Sequence, residues 1–493
     1  MNDPERTILL RNGRIDDHEP VDLLVRDGVI VGAGHGLVAD DSIDLDGRHV
    51  VPGLWDDHVH LSQQALALRR VDVSAAESAA EAASLMATAA IARPPEAGLP
   101  LVGFGFRDGL WPDAPTAALL DAAVADIPTV LVSGDLHCCW LNSAALARFG
   151  RAGHSTGILR EDDAFAVTSA LTDIPVSVLD GWVAEASAAA AARGVVGVVD
   201  FEMADNLAVW SRRMSGAAGA LRVAAGIYTE HLDAAISAGH RTGDLVNGTG
   251  GLLTVGPFKI LIDGSLNTRT AYCAEEYPGL AGQANSHGIL TVAPAELVAL
   301  LRRASGSGIM PAVHAIGDDA NRIALDAFET VGCGGRIEHA QLLRDADLPR
   351  FAALGVTASV QPEQAMDDRG VADRHWAGRT GRAFPLRSLI DAGATLVLGS
   401  DAPVAPLDPW VTIAAAVGRQ RDGLAAWHPE QSISAVEAVS ASAHGRRRVS
   451  VGEVADLCVV DGDPFTASAD ALRSMPVAAT MLAGRFTHNL LLD

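Results

Sequence analysis

The sequence predicts an α/β fold: a (β/α)8 TIM barrel with a small β-sandwich domain built from both chain termini. Three observations carry this expectation. Eight short apolar runs alternate with alanine-rich helical stretches over most of the chain. Each run is short and apolar enough to be a parallel strand buried on both faces. The two chain ends instead carry strand-like runs broken by Asn-Gly and Asp-Gly turns.

At the N-terminus, Thr7 to Leu10 meets Asn12-Gly13, Val21 to Arg26 precedes Asp27-Gly28, and Val29 to Val31 follows. Asn-Gly and Asp-Gly between apolar runs are hairpin signals. This is too little chain for an independent domain. The C-terminus supplies more of the same, Asp456 to Val460 before Asp461-Gly462, then Val477 to Leu482 before Ala483-Gly484-Arg485. The two ends are therefore expected to pair, residues 1–50 with 446–493, around a barrel spanning 51–445.

The barrel runs are Val50 to Trp55, Val195 to Phe201, Leu221 to Ile227, Thr254 to Ile262, Ile309 to Val313, Gly335 to Glu338, Val356 to Val360 and Thr395 to Leu398. Helical segments such as Leu179 to Arg193, Ala295 to Ser305 and Asp319 to Val331 separate them. The long gap after the first run predicts an insertion at about residues 66–178 with strands of its own, at Leu101 to Gly103 and Thr129 to Ser133.

Composition narrows the function. A hydrophobic content of 49% and a mean hydropathy of +0.20 describe a folded chain with a buried core. The formal net charge of -24 opposes nucleic acid and anionic membranes as partners, since both require basic surface. Met1 to Arg6 is polar and acidic, unlike a signal peptide, and no uninterrupted apolar run reaches the length of a membrane span. The five cysteines lack zinc-ligand spacing and read as reduced thiols. A cytoplasmic protein acting on a small molecule is expected.

Lys259 is the only lysine among 37 basic residues. A buried lysine amine can lose its proton and act as a nucleophile, which a guanidinium does not do. A Schiff base, a general base, or attack on CO2 to give a carboxylated lysine all follow from that chemistry. Its neighbours at the strand ends bear on the choice.

Barrel chemistry sits at the C-terminal ends of the strands. At the end of the first stands Asp57-His58-Val59-His60, where alternation aims His58 and His60 the same way as a metal half-site. Lys259 ends the fourth strand, His314 the fifth, His339 the sixth and Asp401 the eighth. In the expected arrangement His58 and His60 hold one divalent ion and His314 and His339 a second. Carboxylated Lys259 bridges them, and Asp401 joins the first. A metal-bound hydroxide then attacks a carbonyl, and Asp401 carries the proton to the leaving nitrogen. Zinc is the default ion for such a donor set, with manganese or iron as alternatives.

These segments resemble the amidohydrolase superfamily, in its amidohydrolase-3 branch of N-substituted formamide deformylase-like enzymes. The motifs are Pro52-Gly53-Leu54-Trp55-Asp56-Asp57-His58-Val59-His60, Phe258-Lys259 with Asp263-Gly264-Ser265, and His314-Ala315-Ile316-Gly317-Asp318. Arg336-Ile337-Glu338-His339-Ala340-Gln341 and Gly399-Ser400-Asp401 complete them. The resemblance implies a metal-dependent hydrolase of carbon–nitrogen bonds, with Lys259 carboxylated on its amine, and a homodimer. It also implies that Asp135 and His137 border the active site, either contacting substrate or tethering the insertion. Arg269 and His287, in the long segment after the fourth strand, are further candidates for substrate contact. Trp55, Trp111, Trp376 and Trp410 are expected mostly in packing, and Asp56 and Asp57 beside the metal-binding histidines. A mononuclear deaminase or an ester hydrolase is the alternative on this fold, and a Schiff-base lyase through Lys259 a more distant one.

Overall fold

Eight parallel strands form one continuous sheet in the computed structural model, which describes residues 7–15, 19–108, 111–124, 126–134, 138–160, 162–215 and 219–491. In chain order they are Leu54–Val59, Val195–Asp200, Arg222–Ile227, Leu253–Leu261, Pro311–Ala315, Gly335–His339, Val356–Val360 and Leu396–Leu398. Each pairs in parallel with the next. The ring closes after the last strand, through a parallel bridge between Val59 and Ala402 and the hydrogen bond from Asp401 N to His58 O at 2.7 Å. This is the predicted (β/α)8 barrel. The strands read as apolar runs because both faces are covered; every residue of Val195–Asp200 is buried. Helices Val176–Ala191, Pro294–Gly306 and Asp318–Val331 fall within a few residues of their predicted spans.

The first barrel strand departs from expectation. The run Val50 to Trp55 is not one strand but parts of two. His49–Pro52 pairs antiparallel with Leu457–Val460, whereas Leu54–Val59 enters the barrel. Gly53 makes the crossing. A Cβ there would lie 2.4 Å from Val196 Cγ1, so only glycine lets the backbone pass this close. An apolar run carries no mark of such a division, since both halves are buried.

The β-sandwich has one sheet of Val29–Gly34, Val21–Arg26, Thr7–Gly13 and Asp41–Asp44. The other holds Arg485–Asn489, Val477–Leu482, Leu457–Val460 and His49–Pro52, so it draws on both chain ends. Leu10, Leu23, Val25, Leu457, Val459 and Met481 share its core. Asp27-Gly28 and Ala483-Gly484 make two-residue turns with φ of 50° and 75°, and 47° and 76°, as hairpins of this hand require. Asn12-Gly13 does not. Asn12 has φ of 57° within its strand, where the register shifts, and its amide holds Asp44 across the sheet. It makes an irregularity in the strand rather than a hairpin turn.

The chain divides into two units, Gln64–Val183 and the remainder. The smaller carries a five-stranded mixed sheet ordered Ile158–Arg160, Cys138–Leu141, Thr129–Ser133, Leu101–Phe106, Val71–Asp72. Strand alternation splits its side chains between two apolar layers, Leu131 and Trp140 in one and Val130 and Val132 in the other. Asn142 is fully buried. It caps helix Ser143–Arg148 and bonds the carbonyls of Val124 and Ile127. Among the described residues, no helix is long and apolar enough to cross a membrane.

Candidate metal centre

Strand alternation and the barrel's closure bring His58, His60 and Asp401 together. His58 lies on the first strand and His60 one step past its end, on the same side. Asp401 follows the three-residue eighth strand with φ of 59°, a left-handed conformation costing roughly 1–3 kcal/mol. It is held there from several sides. Its N–H donates to His58 O, and Gln364 Nε2 donates to its Oδ2 at 2.9 Å. Asp56 Oδ1 accepts from Ser400 N and His58 N, tying the two chain segments. A Cβ on Gly399 would meet His58 N at 2.7 Å, so the close approach needs glycine. As a result Asp401 Oδ1 sits 3.3 Å from His60 Nε2 and 3.6 Å from His58 Nε2.

Each of the three offers a ligand atom within 4.8 Å of the others, the one such group of histidine, cysteine and carboxylate residues among the described residues. The donor set fits a divalent cation. Glu338 is ionised and accepts only, so His58 Nδ1, 2.8 Å from Oε2, carries the proton and Nε2 presents its lone pair to the centre. Burial, with the Lys259 charge, lowers the His58 pKa to about 4, keeping the ring neutral as metal ligation requires. Burial raises Asp401, but the surrounding histidines outweigh it and leave the carboxyl below its ordinary range.

Lys259 is 2% exposed within Leu253–Leu261. Its Nζ lies 3.1 Å from His58 Nε2 and 4.3 Å above the Phe201 ring. Burial pulls its pKa down to about 8 against the opposing charges of Glu338 and Asp401. His314 and His339 stand beside it, their ring centroids 4.5 Å apart, and His339 is 5.0 Å from His58. Burial depresses both, His314 to about 3. His339 also has a left-handed φ of 77°, and its buried Nδ1 has no partner. Among the described residues, no carboxylate closes on both of these rings. The nearest, Asp263, is 3.5 Å from His314 Nε2 but accepts the backbone N–H groups of Tyr272, Ile316 and Gly317. Burial raises its pKa to about 7.

The structure thus gathers the six predicted strand-end residues around one mouth and converges three of them. Asp135 and His137 lie outside the described residues. Arg269 is half-buried with φ of 56°, and His287 is exposed with Nδ1 3.1 Å from the Cys273 carbonyl, so its ring is tied within its own segment. Trp376 and Trp410 are fully buried packing residues, and Trp55 stacks on His444. Sequence reading missed Gln364, and it placed Asp263 and the pair Arg336 and Glu338 in motifs without giving them a role. The last had a signal. Two opposite charges two residues apart in a buried strand face the same interior, where each needs a partner.

Residues 41–488 match the Amidohydrolase family. The chain is 29% identical to Protein LONG AFTER FAR-RED 3 of Arabidopsis thaliana, over 97% of this chain and 91% of that protein. It is 27% identical to the N-substituted formamide deformylase of Arthrobacter pascens, over 91% of this chain and 90% of that one. An uncharacterized metal-dependent hydrolase of Pyrococcus horikoshii superposes with a TM-score of 0.76 at 26% identity, covering 94% of this chain and 99% of that chain.

Proposed function

The chain belongs to the amidohydrolase family and is a metal-dependent hydrolase of carbon–nitrogen bonds; on that premise we propose that it cleaves an amide or formamide-like bond of a small molecule at a binuclear centre. The name of the Arthrobacter relative supports the substrate class. The observation that carries the proposal is the placement of the chain's single lysine, 3.1 Å from His58 Nε2 and among the four histidines. In this reading His58, His60 and Asp401 hold one zinc ion and His314 and His339 the other, with manganese or iron as substitutes. Lys259 Nζ would add to CO2 with loss of a proton, and the carbamate so formed would supply an anionic ligand among the four histidines.

The bound ions supply Lewis acidity, which makes water a nucleophile at neutral pH and polarises the scissile carbonyl. Asp401 accepts the proton of the attacking water and returns it to the leaving nitrogen. Gln364 keeps that carboxylate from rotating by holding Oδ2. Asp135, His137, Arg269 and His287 are assigned to substrate binding. The same reading takes the protein as a cytoplasmic homodimer with domains at 1–50 with 446–493, and 51–445.

A second reading, a mononuclear deaminase or ester hydrolase, is favoured by the convergence of His58, His60 and Asp401 alone. Elemental mass spectrometry on protein purified with bicarbonate and no chelator separates the two. About two ions per chain, falling sharply in Lys259→Arg, supports the bridged centre. About one ion, unchanged by that substitution, sinks it. A panel of N-substituted formamides, amides, esters and amino-heterocycles then tests the bond cleaved.

A further inference from the structure

Behind His58 runs an unbroken polar chain whose far end has no part in the hydrolase reading. Glu338 Oε2 accepts His58 Nδ1–H at 2.8 Å, and Arg336 Nε donates to Oε1 of the same carboxylate at 2.7 Å. Arg336 Nη1 reaches Asp57 Oδ1 at 3.1 Å, and its Nη2 donates to the Asp57 carbonyl at 2.8 Å and to Ser359 Oγ at 3.0 Å. His444 Nε2 meets that same Asp57 Oδ1 at 3.1 Å, while its ring lies on Trp55 with centroids 4.0 Å apart.

The direction of this chain matters. Trp55 is the second residue of the first barrel strand, and its N–H donates to the Ser442 carbonyl just ahead of His444. His444 therefore stands toward the N-terminal end of the barrel, opposite the strand ends that carry the ligands. Its side chain is 38% exposed, whereas His58, Asp57, Arg336 and Glu338 are all buried. Asp57 Oδ2 is buried with no partner, so this carboxylate is satisfied through Oδ1 alone.

We propose that His444 is a positioning residue for the metal centre, acting through Asp57, Arg336 and Glu338 to fix the tautomer and rotation of His58. The physical link is competition for one guanidinium. Asp57 and Glu338 both draw on Arg336, and a buried carboxylate that loses a donor pulls harder on the one it keeps. Without His444, Asp57 draws Arg336 away from Glu338, which then holds His58 Nδ1–H less firmly. Outer partners of this kind decide which imidazole nitrogen faces the metal.

The proposal rests on the hydrolase reading only for its metal readout, so two measurements are paired. The first is zinc affinity by chelator competition. The second is the downfield Nδ1–H proton resonance of His58 in metal-free protein, assigned by its loss in His58→Asn. His444→Phe keeps the stack on Trp55 and removes the hydrogen bond; His444→Gln keeps a donor and loses the stack. His444→Phe is expected to weaken zinc binding roughly 3- to 10-fold, below the roughly 10- to 100-fold of a direct partner such as Glu338→Gln, and to move the resonance upfield. His444→Gln is expected to stay within about 2-fold of wild type. Wild-type affinity and resonance in His444→Phe would overturn the proposal. So would equal weakening in both His444 variants with an unmoved resonance, which marks the stack as structural. If the wild type binds none of zinc, manganese and iron, the proposed metal centre falls and the resonance alone decides the positioning role.

Discussion

The two halves of the strand-end ring differ in what their carboxylates do. Around His58 and His60, Asp401 is fixed by Gln364 and by the backbone of the closing strand, with Oδ1 left facing both imidazoles. Around His314 and His339, the buried Asp263 accepts three loop N–H groups and is 3.5 Å from His314. One half is organised by the protein alone. The other has imidazoles, but its buried carboxylate is committed to the backbone.

Substitutions can break this contrast. The largest effect is expected from Asp401→Asn, which leaves the hydrogen bond from the closing strand intact but removes the anionic oxygen between the histidines. A fall in kcat of roughly 10²- to 10⁴-fold is expected, with loss of the first ion in elemental analysis. Retained activity would show that the converged half is not the catalytic one. Next comes Asp263→Asn. One amide oxygen cannot accept from all three backbone donors, so unfolding in urea should show a loss of about 1–3 kcal/mol. The first ion is expected to stay. If it leaves instead, the two halves are coupled rather than independent.

Gln364→Leu is expected to act more mildly. It strips Asp401 Oδ2 of its donor and should lower kcat about 10-fold, the counterpart of about 1–1.5 kcal/mol, with KM little changed. A change confined to KM would mean that Gln364 touches substrate rather than positioning Asp401.

The smallest effect is expected far from both halves. Glu437 closes a capping box with Ser434 on helix Ala435–Ala441 and pairs with Arg387. Burial raises its pKa, but the Ser434 hydrogen bonds and Arg387 outweigh that and leave it below 4.5. A depressed carboxyl stabilises the fold above its unfolded pKa, and that contribution is lost as the pH falls through the folded value. Glu437→Gln should cost about 0.5–1 kcal/mol at pH 7 and flatten the acid limb of the stability curve below about pH 4.5, with metal content unchanged. An unflattened acid limb would assign the acid sensitivity to the buried mouth.

Periodicity made much of this legible. Strands buried on both faces announce themselves as apolar runs, and alternation alone aims His58 and His60 together. Helix Asp318–Val331 was readable to within a residue because its apolar face repeats at helical spacing. What sequence order hides is contact between distant residues. Glu338 and His58 are 280 positions apart, and Gln364 reaches Asp401 across 37. Asp263 is an acidic residue beside a ligand strand, and only the fold reveals that its carboxylate serves the loop backbone. Asn12-Gly13 has the residues of a tight turn, but pairing with two neighbouring strands keeps it extended on either side.

Gly53 has a mechanical meaning as well as a steric one. The strand His49–Pro52 is locked into the sandwich by Leu457–Val460, and five residues beyond Gly53 stands His58. The sandwich therefore meets the ligand strand through a short extended tether, beside the Arg222–Asp456 pair and the bond from Thr480 Oγ1 to the Ala191 carbonyl. The accessory sheets act as an anchor for the first two imidazoles.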